Sequence, residues 1–276
     1  MKLFKRLSLF LVLVLVTLAS SVMLSACGGS DDDTETVATL NGKTPIEVYR
    51  AAEEKLDNVS NAKISGDAKI KIEISGSGMS LTESMDMTIL SEKNGESIHT
   101  KMEATANGYA ETEMLEEEWF VNGMLYTYSK EGTDLSKTKE SMTYDEYVNS
   151  DSGSGDDDFL IEFEDEVLEN AKFTKSGGKY HINVTLTGDE VNDLTSDMID
   201  SIAGGFEFDK VVYKLSFNKD GDLVGMTISF SGSMTAEGAT MSMEITIKLA
   251  ITYGNVGVIN PPADSSTYVS ADGYGY

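Results

Sequence analysis

The sequence predicts an α+β protein: a strongly curved antiparallel sheet, forming a half-open β-barrel of about ten to eleven strands, with two or three helices against its concave apolar face. Long runs alternate between apolar and polar residues, which is typical of strands with one face on the core and one in solvent. Asn-Gly pairs lie between or near these runs, as in hairpin turns. Proline is absent between Pro45 and Pro261, which suits strands that need every backbone N–H.

The N-terminal segment has the pattern of an export signal. Lys2, Lys5 and Arg6 are followed by an uncharged, mainly apolar stretch, which ends in Leu24-Ser25-Ala26-Cys27. This ending resembles the lipobox of bacterial lipoproteins. The resemblance implies cleavage between Ala26 and Cys27, a diacylglycerol on the Cys27 thiol, and attachment to the outer face of the cell membrane. An uncleaved membrane anchor is the alternative, since the stretch is nearly long enough to span.

The composition divides the chain into four parts. Residues 1–26 are the predicted signal peptide, and residues 27–43 a flexible acidic tether. Residues 44–262 form a single predicted domain. Residues 263–276 lack a periodic apolar pattern and are expected to be a loose tail.

The charge of the chain argues against nucleic-acid, anionic-lipid and phosphate partners, and its cysteine content argues against an internal disulfide. Residues 1–26 hold three of the 21 basic residues and no acidic one, so the remainder carries 18 basic and 47 acidic side chains, a formal charge of −29. Such a chain is repelled by nucleic acid and by anionic lipid headgroups. Arg50 is the only arginine of this remainder, which argues against a phosphate site. Cys27 is the only cysteine, so it has no partner for an internal disulfide.

The first predicted element is a helix after Thr44. Thr44-Pro45-Ile46-Glu47 combines an N-cap residue, proline at the first helical position and glutamate at the third. Apolar residues then recur at helical spacing, at Tyr49, Ala52, Leu56 and Val59.

Alternating strands follow this helix and return in the second half of the chain. In seven runs, apolar residues occupy most of the alternate positions, and these positions are predicted to face the core. The runs are Ile64 to Ile74, Leu81 to Ile89, Ile98 to Ala106, Tyr180 to Leu186, Val211 to Phe217, Val224 to Phe230, and Met241 to Tyr253. A short hairpin is predicted about Asn122-Gly123, and a turn at residues 218–221.

The middle of the chain is less regular. Residues 129–158 are polar, with a predicted loop at 150–158. Phe159 to Ala171 fits a helix, although alternation of Phe159, Ile161 and Phe163 also fits a strand. A further helix is predicted at Asp189–Ala203, followed by Gly204-Gly205.

Methionine is abundant on the predicted core faces. Flexible, polarisable methionine side chains suit surfaces that fit varied apolar ligands, although methionine also fills gaps in closed cores. If the helices leave part of the concave face uncovered, the candidate ligand-lining residues are Met85, Met87, Met102, Met226, Ile228, Phe230, Met241, Met243 and Ile245.

The order of elements resembles a known group of lipid carriers. A lipobox cysteine, an acidic tether, the helix TPIEVYRAAEEKLDNV, alternating strands and the closing Asn260-Pro261-Pro262-Ala263-Asp264 resemble uncharacterised surface lipoproteins of low-GC Gram-positive bacteria. These are similar in architecture to the LolA, LolB and LppX carriers, which bind acyl chains in a half-open barrel. LolA-type carriers use an arginine inside the barrel, whereas Arg50 lies on the first predicted helix. This difference leaves open a carrier or sensor of a simpler apolar ligand.

No catalytic or metal-binding pattern stands out. His99 and His181 fall on predicted solvent faces, and HExxH and CxxC patterns are absent. A calcium loop starting at Asp151 would place Gly153 and Gly155 where carboxylates are needed. We therefore expect no enzyme activity, cofactor or metal. The protein partner is left open, with a non-catalytic scaffold or sensor lipoprotein as the alternative function.

Overall fold

The computed structural model describes residues 35–76, 79–107, 112–149, 163, 165–169, 171–187, 207–236 and 239–271. Ala26, Cys27 and the helix predicted at Asp189–Ala203 lie outside the described residues.

In the described part of the chain, thirteen strands form one sheet, rather than the ten to eleven that the sequence predicts. The strands are β1 Glu35–Val37, β2 Asn61–Gly76, β3 Met79–Asn94, β4 Ser97–Asn107, β5 Thr112–Val121, β6 Met124–Glu131, β7 Asp134–Ser141, β8 Phe173–Ser176, β9 Lys179–Thr187, β10 Glu207–Phe217, β11 Leu223–Ala236, β12 Ala239–Tyr253 and β13 Val269–Ser270. Their spatial order is β1-β8-β9-β10-β11-β12-β2-β3-β4-β5-β6-β7-β13. The sheet is curved and unclosed, with β1 and β13 at its two edges.

Two antiparallel meanders meet at the centre of this sheet. The first runs from β2 to β7 and the second from β8 to β12. They join where β12 pairs with β2 in continuous register, from Ala239 opposite Gly76 to Tyr253 opposite Ala62. The long predicted strands are therefore confirmed, and their apolar faces form one surface because the register is unbroken here.

The predicted hairpin turns follow from local backbone chemistry. Asn122 and Gly123 both have positive φ, 53° and 72°, as a two-residue turn between β5 and β6 requires. At the β10–β11 turn, the Asn218 side-chain oxygen accepts hydrogen bonds from the backbone N–H groups of Asp220 and Asp222, at 2.9 and 3.0 Å. These turns fix the register of the strands on either side.

Three α-helices are described: α1 Pro45–Asp57, α2 Tyr144–Asn149 and α3 Asp165–Glu169. At the start of α1, the Glu47 carboxylate accepts hydrogen bonds from the Thr44 backbone N–H and hydroxyl, at 2.8 and 3.0 Å. The backbone hydrogen bond is the main reason that the pKa of Glu47 lies below its usual value. The α3 helix lies within Phe159 to Ala171, the segment whose pattern fits either a helix or a strand.

Both ends of the chain's described part differ from the sequence prediction. Within the expected flexible tether, β1 pairs with β8 and Leu40 is buried. Within the expected loose tail, a 3₁₀ turn at Ser265–Thr267 leads into β13, which pairs in parallel with β7. The strand β7 was also missed, because its polar sequence leaves no apolar face to recognise.

Candidate functional site

The concave face of the sheet carries a continuous apolar surface, which we call the inner wall. We define it as the inward-facing side chains of β9, β10, β11, β12, β2, β3 and β4. The inward positions described on β10, β11, β12 and β2 hold no charged side chain. Of the nine predicted lining residues, Met85, Met87, Met226, Ile228, Phe230, Met243 and Ile245 are buried, while Met102 and Met241 are partly buried against the same cluster. The structure therefore brings all nine together.

Helix α1 and Phe163 cover part of the inner wall. The Phe163 ring lies edge-on to Tyr49 of α1 and to Tyr213 of β10, with centroids 5.4 and 5.0 Å away. Arg50 of α1 donates a hydrogen bond to the Phe163 backbone oxygen at 2.8 Å. The expectation that helices lie on the concave face is thus confirmed, and the predicted lining residues do not form an open groove.

Lys55 holds the far end of α1 on the sheet. Its ammonium lies 2.5 Å from Asp222 in the β10–β11 turn and 4.6 Å from the centre of the Tyr253 ring. The hydrogen bond from Lys55 is the main cause that lowers the pKa of Asp222. Because these groups are partly exposed, the pair orients α1 more than it stabilises the fold.

At the described inward positions of β10, β11, β12 and β2, the polar side-chain atoms are two tyrosine hydroxyls. Within the described structure, the Oη atoms of Tyr213 and Tyr253 are buried and have no hydrogen-bond partner. Tyr213 is fully buried, and burial raises the pKa of its hydroxyl well above its usual value. Burial and the nearby Asp222 charge raise the pKa of Tyr253 to about 12. Both hydroxyls therefore stay protonated at neutral pH.

The inner wall becomes acidic at its margins. Glu83 on β3 and Glu118 on β5 point inward and are buried, and Glu116 also points inward. Sequence analysis missed them because apolar neighbours dominate the alternation. The signal was present at Leu81-Thr82-Glu83-Ser84-Met85, where a glutamate takes an apolar position of the run. A second small core lies beyond Glu118, where Tyr147 of α2 stacks on Phe120 with centroids 4.6 Å apart.

The two histidines lie on the convex face in different environments. His99 stacks on Trp119 and places its nitrogens 3.3 Å from Glu92 and 2.9 Å from Glu117. His181 is buried, which corrects the expectation of an exposed side chain. Its nitrogens contact the hydroxyls of Ser216 at 2.9 Å and Ser176 at 3.2 Å. Desolvation lowers the pKa of His181, so it is mainly neutral at pH 7.

A shallow polar cavity of about 220 Å³ also lies on the convex face. Its walls come from β10, β11, β12 and β2 and include Lys71, Glu73, Asp209 and Glu244. In the described part of the chain, no three acidic, histidine or cysteine side chains are grouped as metal ligands. No helix described here has the length and apolarity needed to cross a membrane.

Residues 44–262 match a family described as "Family of unknown function (DUF6612)". The chain belongs to this family. The match covers the described sheet from α1 to β12 and does not include Cys27 or the β13 strand. No curated protein matches the DUF6612 chain significantly.

Two solved structures show limited similarity to the DUF6612 chain. One is a β-barrel-like protein of the domain of unknown function DUF1849 from Brucella abortus, at 8% identity and a TM-score of 0.18, covering 71% of this chain and 99% of that one. The other is a bifunctional dehydratase-cyclase domain of ambruticin biosynthesis, at 9% identity and a TM-score of 0.13, covering 68% and 76%. These TM-scores are too low to establish a shared fold.

Proposed function

We propose that this DUF6612 chain is a membrane-anchored extracytoplasmic lipoprotein that binds a lipid or another hydrophobic molecule on its inner wall. The observation that carries the proposal is a wall that combines the side chains of seven strands, with no charged side chain at the described inward positions of β10, β11, β12 and β2. An apolar chain would enter by displacing Phe163 and part of α1. No catalytic step is proposed.

The relative sizes of wall and helices support this proposal. Seven strands at the usual spacing make a surface about 30 Å wide. A helix of 13 residues, the length of α1, is about 20 Å long and about 10 Å across. The α3 helix has five residues. Among the described residues, α1 and α3 together are smaller than the wall on which they lie, so displacement of α1 would disturb only part of the wall.

The wall is rich in methionine, whose flexible side chains can contact a ligand in place of Phe163. The main core cluster contains Met85, Met87, Met114, Met226 and Met243, with Met102, Met234 and Met241 packed against it. These are eight of the chain's 14 methionines. Unbranched methionine side chains adapt to new neighbours at low cost, so a ligand could replace Phe163 without distorting the strands.

Methyl NMR of methionine tests the proposal directly. Octane is titrated into the chain carrying ¹³C-methyl methionine and Cys27→Ser, which keeps the protein free of its own lipid. We expect saturable shifts at Met226 and Met243 on the wall. Met124, whose position in β6 faces away from the wall, is the internal control. No shift at any wall methyl, with no copurifying lipid found by mass spectrometry, would reject ligand binding.

Membrane anchoring is tested separately. In the bacterial host we expect the wild-type chain in the membrane fraction, with palmitate label incorporated at Cys27. The Cys27→Ser chain should lose the label and be released or remain as precursor. Equal labelling of both chains would reject Cys27 as the lipidated residue.

A protein-binding scaffold is the second candidate, and a feature of the convex face favours it. Trp119, Tyr126 and Tyr128 lie on that face of β5 and β6, and Leu135 on β7 is 58% exposed. A photo-crosslinking residue at Leu135 should then capture a discrete partner in cells. The same residue at Val258, which is also exposed but follows β12, is the control. Equal capture at both sites would count against this scaffold function.

A further inference from the structure

The Tyr213 hydroxyl is anomalous in its surroundings. Tyr213 lies at the centre of β10, paired with Val184 on one side and Ile228 on the other, and its side chain is fully buried. Its Oη has no hydrogen-bond partner within the described structure. An unpaired buried hydroxyl is destabilising, and phenylalanine would fill the same space without that cost.

Tyr213 also lies where a ligand would have to enter. Its ring is in edge contact with Phe163, which belongs to the cover of the inner wall. If the Phe163 side chain moved away, the Tyr213 ring would face the space that Phe163 had occupied. The uncharged side chains of Met226 and Ile228 lie on the adjoining strand, where they would contact an aliphatic chain.

We propose that the Tyr213 hydroxyl hydrogen-bonds the uncharged polar head of a single-chain amphiphile, such as a fatty alcohol or an ester carbonyl, whose aliphatic chain lies on the inner wall. This inference rests on the proposed function and specifies the ligand class. Tyr213 is a binding residue in this scheme, and Phe163 occupies the place of the ligand head in the unliganded protein.

The surroundings select against a charged head. The described inward positions of β10, β11, β12 and β2 offer no cation to a carboxylate or phosphate. Arg50, the cation that contacts the covering residue Phe163, is already paired with Glu53. A charge buried there would therefore lack a free counterion, which is strongly unfavourable. A hydroxyl or ester head avoids this penalty and can pair with Oη.

Three probes with eight carbons separate these requirements: octan-1-ol, octane and octanoate. Each is titrated into the Cys27→Ser chain, with shifts of the wall methionine methyls giving Kd. We expect Tyr213→Phe to weaken octan-1-ol binding by about three- to tenfold, the usual contribution of one neutral hydrogen bond. The same substitution should leave octane binding unchanged. With Tyr213 in place, octanoate should bind at least about tenfold more weakly than octan-1-ol.

Two controls separate binding from folding. Tyr128→Phe removes a tyrosine hydroxyl on the convex face of β6, away from the inner wall, and should leave all three affinities unchanged. Unliganded Tyr213→Phe should melt at the same or a higher temperature, because it removes an unpaired polar atom. A clearly lower melting temperature would mean that Oη has a partner in the unliganded protein and would overturn the inference.

The outcomes also distinguish the inference from the proposed function. If each of octane and octan-1-ol binds to Tyr213→Phe with the same affinity as to the chain with Tyr213, the hydroxyl is not a ligand contact. Binding of apolar molecules to the wall then stands without it. Octanoate binding as tightly as octan-1-ol would overturn the uncharged head. If no probe binds the wild-type chain, the inference and the proposed function both fail.

Discussion

Gly66 shows how closely the two meanders are joined. A Cβ built on this inward position of β2 would lie 1.9 Å from the Lys248 backbone oxygen of β12 and 2.9 Å from a Leu249 methyl. The backbone oxygen has no room to move within a paired strand. Only glycine therefore fits at this point of the central joint.

We predict that Gly66→Ala lowers the free energy of unfolding by about 3 kcal/mol, because one strand must shift to relieve the clash. Urea denaturation measures this. Gly257→Ala is the matched control, since a Cβ there meets nothing within 4 Å. Equal stability of the two variants would show that the β2–β12 joint is looser than the structure indicates.

His181 predicts how stability depends on pH. Desolvation lowers its folded-state pKa from 6.5, so the unfolded chain binds this proton more readily. Its contribution is fully present above pH 6.5 and is lost as the pH falls from there towards the folded-state pKa. The wild-type chain should therefore unfold at a lower urea concentration one pH unit below 6.5 than one unit above it.

His181→Gln isolates this effect. The substitution keeps a polar side chain near Ser176 and Ser216 but removes the titrating group. The shift in urea midpoint across this pH interval should be smaller in the variant than in the wild type. Identical shifts would assign the dependence to other groups.

At the scale of elements, α1 is held in the cover by a capped start and by one charged contact. Its start is fixed by the Thr44–Glu47 cap, and its contact with the Phe163 backbone depends on Arg50. Most of the remaining contact is apolar, through Val48, Tyr49, Ala52 and Leu56. The position of α1 thus depends on its N-terminal cap, on apolar packing, and on the hydrogen bond from Arg50 to Phe163.

We predict that Arg50→Gln lowers the free energy of unfolding by about 2 kcal/mol, the usual contribution of a hydrogen bond from a charged donor. Amide hydrogen exchange in α1 should accelerate more than exchange in β12. Lys69→Met is the control, because the Lys69–Asp86 pair is exposed on the convex face and should leave stability unchanged. Unaltered α1 exchange in Arg50→Gln would show that packing alone holds the helix.

At the scale of the whole molecule, the open sheet has two edges that must avoid pairing with other chains. One is closed by β13, whose neighbour Tyr268 is buried and lies edge-on to Tyr126, 5.6 Å between centroids. Asp264 pairs with Lys137 of β7. The C-terminal segment from Asp264 to Ser270 therefore covers the β7 edge.

Deletion of residues 264–276 should expose β7 and promote association through its unpaired backbone groups. We expect a higher mean mass by light scattering than for the full-length chain at equal concentration, and a lower melting temperature. Tyr268→Ala, which keeps the strand but removes its buried ring, should have an intermediate effect on melting. A truncated chain with the mass per particle and melting temperature of the full-length protein would contradict this role.

Local patterns in the sequence determined much of this architecture. Strict alternation placed the nine predicted lining residues on one face, and Asn-Gly pairs and the Thr44–Glu47 cap located a turn and a helix. These features depend on neighbours along the chain, so their signal is present in the sequence itself. The same logic fails for β7 and β13, whose pairing depends on distant backbone and on Tyr268 rather than on their own pattern.

Only the tertiary structure decided how the wall is completed and covered. The sequence alone determined that apolar faces exist, and it left open whether helices would cover them. Register between β12 and β2 joined the two halves, and α1 with Phe163 then buried the wall around Tyr213. The physical reason is that burial, and with it the cost of an unpaired hydroxyl or a desolvated histidine, depends on which residues meet across the fold.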